Sequence, residues 1–288
     1  MRLHLVDGTY ELFRAHFSRG PSRNAPDGRD VKAAVGTVRQ VMALLDDGNE
    51  ECTHVAVAFD NPIESFRNRL FTGYKDGSGT DPSLLAQFDL VEAGIRALGV
   101  TVWSMADVEA DDAMASAAVR FAADVDQVRI LTPDKDLGQV VEGERIVQID
   151  RARDRCYDAA GVEARLGVPP SAVVDHLALV GDVADGIPGV PGIGAKTSAL
   201  LLQRYSSIAA IPSDHEAWDI TVRGAARIAE VLRTHAAEIA LWRTLATLVT
   251  DVELGCELAE LRWDGVDRTA LDAWANEVGS GTVAGWRR

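Results

Sequence analysis

Over its first 150 residues the chain alternates between two periodicities, and that alternation limits its fold more than any other feature. Short apolar runs at residues 3–6, 53–59, 100–103 and 128–131 read as strands. Between them lie stretches with helical spacing: one through Phe13 and Phe17, one at 31–45, one at 82–98 and one from about 109 to 123. Strands separated by helices of this length predict an α/β fold, with a central, mostly parallel sheet and helices on both faces. A further short strand at 146–149 ends the alternation, and from Asp158 the pattern is nearly all helical. The sequence therefore predicts an α/β region over 1–155 and a mostly helical region over 156–288. A polar, glycine-containing excursion at 61–81 stands outside the core. At 47% hydrophobic residues over 288, the chain can bury a substantial core, which excludes intrinsic disorder.

The places where the strands end carry the chemistry. In an open α/β sheet, ligands sit beyond the carboxyl ends of the strands. There the chain places Asp7, then Asp60, then Glu109, Asp111 and Asp112, then Asp134 and Asp136, with Asp182 and Asp185 farther on. Any one of these alone is an ordinary turn residue or helix cap. Nine acids at one rim would repel and raise one another's pKa unless cations neutralised them. Oxygen donors without His or Cys point to Mg²⁺ or Mn²⁺, and two such ions ~3.5 to 4 Å apart serve in-line displacement at phosphorus.

The run Gly189-Val190-Pro191-Gly192-Ile193-Gly194 leads into a helix over 195–203 with Lys196 and Thr197 in its first turn. Free backbone amides at a helix start suit a phosphate. The spacing is not that of a Walker A loop, which disfavours a nucleoside triphosphate.

In this order the residues resemble the 5'-nuclease superfamily, which comprises the flap endonucleases and the 5'-3' exonuclease domain of bacterial DNA polymerase I. The resemblance runs from Leu3 to about residue 250. It rests on Leu5-Val6-Asp7-Gly8, Phe59-Asp60, Ser65-Phe66-Arg67, Gly73-Tyr74-Lys75, Glu109-Ala110-Asp111-Asp112, Thr132-Pro133-Asp134-Lys135-Asp136-Leu137, and Gly181-Asp182 through Gly194-Ala195-Lys196-Thr197. It implies a structure-specific 5' nuclease that hydrolyses DNA at 5' flaps, overhangs, nicks or gaps and leaves 5'-phosphate products. By the same resemblance Asp7, Asp60, Glu109 and Asp111 hold one metal ion, and Asp134, Asp136 and Asp182 hold another. Asp111 stands near both, and Asp112 and Asp185 assist. Gly189, Gly192, Gly194, Lys196 and Thr197 belong to a helix-hairpin-helix at about 181–205 that binds duplex phosphates and holds K⁺. The excursion at 61–81 is an arch or clamp over the 5' strand, with Arg67 and Lys75 on the scissile phosphate and Tyr74 stacked on a base. Two positions depart from the family pattern: Asp76-Gly77-Ser78-Gly79 lacks a further basic residue, and Phe13 replaces a common tyrosine. No polymerase region follows, which implies a stand-alone nuclease.

Two other enzymes and a non-catalytic role compete with this reading. A haloacid-dehalogenase-type phosphatase needs an aspartate where Leu5 stands. A PIN-class ribonuclease would keep the acidic rim without the arch or the hairpin, and a non-catalytic DNA-binding scaffold would not need every carboxylate. Cys52, Cys156 and Cys256 are odd in number and unpaired in spacing, which indicates a reducing, cytoplasmic setting. No segment suits a membrane span, and a monomer is expected. The net charge of -15 argues at first against a nucleic-acid partner. Without the nine site carboxylates the acidic count falls from 44 to 35 against 29 basic residues, and the balance to -6. The remainder predicts no basic surface, so duplex binding would rest on Lys196, the hairpin amides, Arg67 and Lys75.

Overall fold

The computed structural model describes residues 1–286, which divide into two compact units interleaved along the chain. The first comprises Met1–Ser65, Gly77–Thr132 and the segment from Thr250 onward; the second comprises Phe66–Asp76 and Pro133–Val249. A single cut near residue 155 thus follows the order of the motifs rather than the compact units.

In the first unit, β1 (Arg2–Asp7), β2 (Cys52–Asp60), β3 (Thr101–Met105) and β4 (Gln127–Leu131) are parallel, in the order β3-β2-β1-β4. Leu5 is in register with Ala56 of β2 and with Ile130 of β4. Val55, Ala56, Val57, Ala58 and Phe59 are each at most 1% exposed, so β2 is covered on both faces. That is why the run is continuously apolar rather than alternating. The covering helices are α1 (Gly8–His16), α2 (Lys32–Asp46), α3 (Phe88–Ala97) and α4 (Ala110–Phe121). Helix α4 lies against all four strands, while α1 and α3 pack on α2 and contact β2 and β3 respectively. The later helix Arg268–Glu277 adds Trp274, whose Nε1 donates to the Leu90 carbonyl at 2.8 Å. Trp263 likewise donates to Leu98, so both rings pack the fold.

The helix predicted over 82–98 is broken into a single turn, Pro82–Leu85, and α3. Gln87 is the cause. Its buried side chain accepts from the Ala34 amide at 3.0 Å and donates to the Ser83 carbonyl at 2.9 Å. Ala34 lies in the first turn of α2, whose N-cap Val31 offers no side-chain acceptor, so Gln87 satisfies an amide the helix cannot.

In the second unit, β5 (Ile146–Asp150) and β6 (Arg155–Tyr157) form an antiparallel pair, the latter strand not foreseen from sequence. Helices α5 (Ala159–Leu166), α6 (Val173–Val180), α7 (Ala195–Tyr205), α8 (Ala225–Thr234) and α9 (Ala236–Ala246) follow. Helix α6 packs on α7 and α9 around Leu177, Leu179, Leu201, Trp242 and Leu245. The turn between α6 and α7 folds back so tightly that a Cβ on Gly189, at φ +70°, would lie 2.4 Å from the Gly181 nitrogen. Only glycine permits that approach.

The excursion expected as an arch is helical only at Phe66–Leu70, and Phe66–Asp76 packs within the second unit.

Candidate functional site

Five of the nine carboxylates lie in the first unit, at the ends of its strands or the start of α4. Asp7 ends β1 and caps α1: one oxygen accepts from the Tyr10 amide and the other from the Thr132 hydroxyl, both at 2.8 Å. Asp60 ends β2, where its amide donates to Thr9 Oγ1 at 2.8 Å and its Oδ1 accepts from the Ala110 amide at 2.7 Å. That bond ties Asp60 to the N-terminus of α4, where Glu109 and Asp112 form a reciprocal capping box and Asp111 occupies the first turn. Glu109 Oε1 also accepts from Ser65 Oγ at 2.8 Å. The helix dipole favours negative charge at this helix start, and these donors orient the acids. Asp112, with no exposed surface, serves the cap and fixes Glu109.

The other four lie in the second unit. Asp134 caps the short helical turn Lys135–Val140 by accepting from the Asp136 amide at 3.0 Å. Asp182 and Asp185 sit in a turn closed by two bonds between Asp182 and Ile187, each 2.8 Å, and Asp182 Oδ1 accepts from Ala184 N at 3.0 Å. Asp136, Asp182 and Asp185 are all buried, and each offers an oxygen within 4.8 Å of the others. Asp136 Oδ1 has no hydrogen-bond partner. Burial first, and then the charges of Asp134 and Asp185, raise the Asp136 pKa well above the ordinary carboxylate range, against the opposing charge of Lys135.

Two lysines sit among these acids. Lys135 pairs with Asp182 and stands 3.5 Å from Asp136. Burial lowers the Lys135 pKa, but Asp136 and Asp182 more than offset this and leave it raised. Lys75 Nζ lies 3.0 Å from Asp185, and the Lys75 amide donates to the Asp185 carbonyl at 3.0 Å. A Cβ on Gly186, at φ +75°, would lie 2.1 Å from the Gly73 carbonyl oxygen, so glycine there lets the Lys75 strand approach. Four carboxylates against two ammonium groups leave an excess of two negative charges, the charge of one divalent cation. With all-oxygen donors and an orphaned buried oxygen, these side chains fit a hard divalent ion.

Arg67 and Tyr74 require correction. Arg67 is 1% exposed, with Nε on the Leu245 carbonyl at 2.8 Å and Nη2 on the Thr247 carbonyl at 2.9 Å. Its guanidinium ties Phe66–Asp76 to the end of α9 and is not presented to a phosphate. Tyr74 is 4% exposed within the hydrophobic core, which leaves its ring no face for a base. A motif names the residue types but not which of them turn inward.

The hairpin is placed as expected: Gly194 is the N-cap of α7, Lys196 and Thr197 follow in its first turn, and the Thr197 and Ser198 amides donate to the Gly194 carbonyl at 3.0 Å. The amides of 194–196 precede the helix's own ladder.

Sequence reasoning missed Ser65, Thr132 and Lys135 as partners of the acids, although each lies inside a motif already noted. It also missed a concavity of about 670 Å³ in the first unit, lined by Arg14, Arg19, Arg23, Lys32 and Arg39 with no acid among its lining residues. The available signal was the stretch 14–26, which holds three arginines and no acidic residue. The expectation of no basic surface is therefore wrong locally.

Residues 2–167 match the family model described as 5'-3' exonuclease, N-terminal resolvase-like domain, and 168–269 match 5'-3' exonuclease, C-terminal SAM fold. DNA polymerase I of Pseudomonas aeruginosa is 34% identical over 96% of the chain, which spans 30% of that protein's length. A 5'-3' exonuclease of Aquifex aeolicus is 29% identical over 90% of the chain and 84% of its own length. In fold, T5 5'-exonuclease with divalent metal ions (zinc) bound aligns with a TM-score of 0.68 at 18% identity, over 96% of this chain and 95% of that one.

Proposed function

Because the chain belongs to the 5'-3' exonuclease family, we propose that it is a metal-dependent, structure-specific 5' nuclease acting on DNA with a free 5' end. It hydrolyses phosphodiesters at flaps, overhangs, nicks or gaps and leaves 5'-phosphate products. One observation carries this reading: the buried trio Asp136, Asp182 and Asp185, with its orphaned oxygen and excess negative charge.

Asp134, Asp136 and Asp182, assisted by Asp185, would hold one divalent ion, and Asp7, Asp60, Glu109 and Asp111 another. Mg²⁺ or Mn²⁺ suits such donors. When bound, such ions supply a water nucleophile at neutral pH and neutralise charge on phosphate oxygens. The chain's own part is to position and to balance charge. Lys75, partly exposed, meets the phosphate's negative charge, and Lys135 offsets charge on Asp182 and Asp136 and holds their side chains in place. The hairpin of Gly189, Gly192, Gly194, Lys196 and Thr197 would hold duplex phosphates, and its carbonyls would take K⁺. The cationic concavity around Arg19 and Arg39 supports a polyanionic substrate despite the acidic balance.

The functional division is a metal-binding core over 1–155 and a helical DNA-binding region after it. Among the described residues no helix is long and apolar enough to cross a membrane, and all three cysteines are free. We assign the protein to the cytoplasm as a monomer.

The decisive assay is cleavage of a 5'-labelled flap and of a nicked duplex in Mg²⁺ and in Mn²⁺. The wild type should cut near the junction, and Asp182→Ala should lose at least about a hundredfold in rate. Absence of metal-dependent cleavage by the wild type would leave a non-catalytic scaffold, and preference for RNA would favour a PIN-class ribonuclease.

A further inference from the structure

The turn that carries Asp134 and Asp136 is held by its main chain. Asp136 Oδ1 has no hydrogen-bond partner, so its direction is set by the backbone that carries it. Three side chains grip that backbone. Gln148, on β5 and 1% exposed, donates from Nε2 to the Asp134 carbonyl. Arg165, on α5, donates from Nη2 to the Pro133 carbonyl at 2.7 Å and from Nη1 to Gln148 Oε1 at 3.4 Å, with its guanidinium 4.9 Å from the centre of the Tyr157 ring. Gln139 donates to the Asp136 carbonyl at 2.9 Å.

Gln139 also reaches out of the turn. Its Nε2 donates to the Ala246 carbonyl at 3.0 Å, and its Oε1 accepts from the Leu248 amide at 3.0 Å. Ala246 ends α9, and the last carbonyls of a helix have no partner within it. Arg67 takes the carbonyls on either side, those of Leu245 and Thr247. One helix end is therefore the common anchor of the turn that carries Asp136 and of the segment that carries Lys75, whose amide and ammonium both meet Asp185.

The type of donor matters as well. Glutamine donates as a cation does but adds no charge. Cations at 139 and 148 would cancel the two negative charges that Lys75 and Lys135 leave over, and with them the attraction for a divalent ion. Arg165 carries a charge, but it is exposed, where solvent screens it.

We propose that Gln139, Gln148 and Arg165 are positioning residues for the metal ion held by Asp134, Asp136 and Asp182, and that they act on it only through the main chain of its carboxylates. The proposal rests on the metal reading above and adds three residues to it. Loss of such outer contacts weakens metal affinity by roughly 10- to 100-fold.

The test is Mn²⁺ binding to the full chain without DNA, read from the electron paramagnetic resonance signal of the free ion. Asp182→Ala identifies the ion held by this turn as the one it removes. For that ion, Gln139→Met and Gln148→Met should each raise Kd about tenfold or more. Flap cleavage by both should recover as Mn²⁺ is raised, because they lack occupancy and not chemistry. Arg165→Met, at an exposed residue that can be replaced without loss of the fold, should shift Kd in the same direction. Melting in EDTA reads any effect on stability separately. Wild-type Mn²⁺ affinity in the variants, with or without a lowered melting temperature, overturns the proposal; if a glutamine variant does not fold, Arg165→Met decides. A wild type that takes up no Mn²⁺ overturns the metal reading and this proposal with it. A wild type that binds Mn²⁺, and binds it less tightly in the variants, yet cuts no flap overturns only the nuclease reading.

Discussion

Replacing Asp136 with asparagine should reverse its effect on stability according to whether metal is present. Asp136 lies within 4.8 Å of oxygens on Asp182 and Asp185, and 3.5 Å from the Lys135 ammonium. At an effective dielectric constant of ~20, the two repulsions together cost at least about 7 kcal/mol and the single attraction returns about 5, so the ionised carboxylate is opposed by at least about 2 kcal/mol, before the further repulsion from Asp134. Asparagine keeps the shape and removes the charge. In EDTA the variant should therefore be the more stable protein, by about 2 kcal/mol or more, roughly 4 °C in Tm. The difference has a definite pH course. Because the folded pKa of Asp136 is raised, the folded wild type retains a proton that the unfolded chain gives up near pH 4. Wild-type stability thus declines as pH rises from there through the folded pKa, and the gain from asparagine grows over the same window. In Mg²⁺ the order should invert, because a ligand at a hundred times its Kd adds about 2.7 kcal/mol to the protein that binds it. Differential scanning fluorimetry with EDTA and with Mg²⁺, at pH 5 and pH 8, reads all four conditions. If Asp136→Asn is less stable than the wild type in EDTA at pH 8, the carboxylate is a structural hydrogen-bonding group and the charge argument is wrong.

Two further predictions separate structure from chemistry. Arg67→Ala should cost about 3 kcal/mol in urea unfolding, because it leaves the Leu245 and Thr247 carbonyls without their charged donor, whereas Lys75→Ala should lower flap cleavage at least tenfold with little change in stability. A large cleavage defect in a fully stable Arg67→Ala protein would restore the phosphate role assigned from sequence. Burial lowers the pKa of His4 and of His176, in both cases as the largest influence, so their contribution to stability is complete above pH 6.5 and is lost as pH falls through the lowered folded values. Urea midpoints measured from pH 7.5 to 5 should fall, and should fall less in a His4→Asn, His176→Asn double variant.

What the amino-acid order determined by itself was the α/β architecture and the positions of the acids. A strand buried on both faces must be continuously apolar, and Val55 through Phe59 announce that in one dimension. The residue that ends such a strand is equally fixed along the chain, so Asp7 and Asp60 could be named without coordinates. The hairpin was legible for a related reason, since Gly189 answers a local backbone demand.

Tertiary structure decided which of those residues face inward and which groups offset them. Tyr74 shares a motif with Lys75 and Arg67 ends the motif before it, yet Arg67 and Tyr74 are buried and Lys75 is partly exposed, because burial depends on the distant residues 245 and 247 and on the core around Trp242. Gln87 breaks a well-patterned helix because an amide more than fifty positions earlier lacks a cap. Charge behaves the same way. A balance of -15 is a property of composition, but potential depends on distance, and folding gathers Arg19 with Arg39 into a concavity with no acid in its lining.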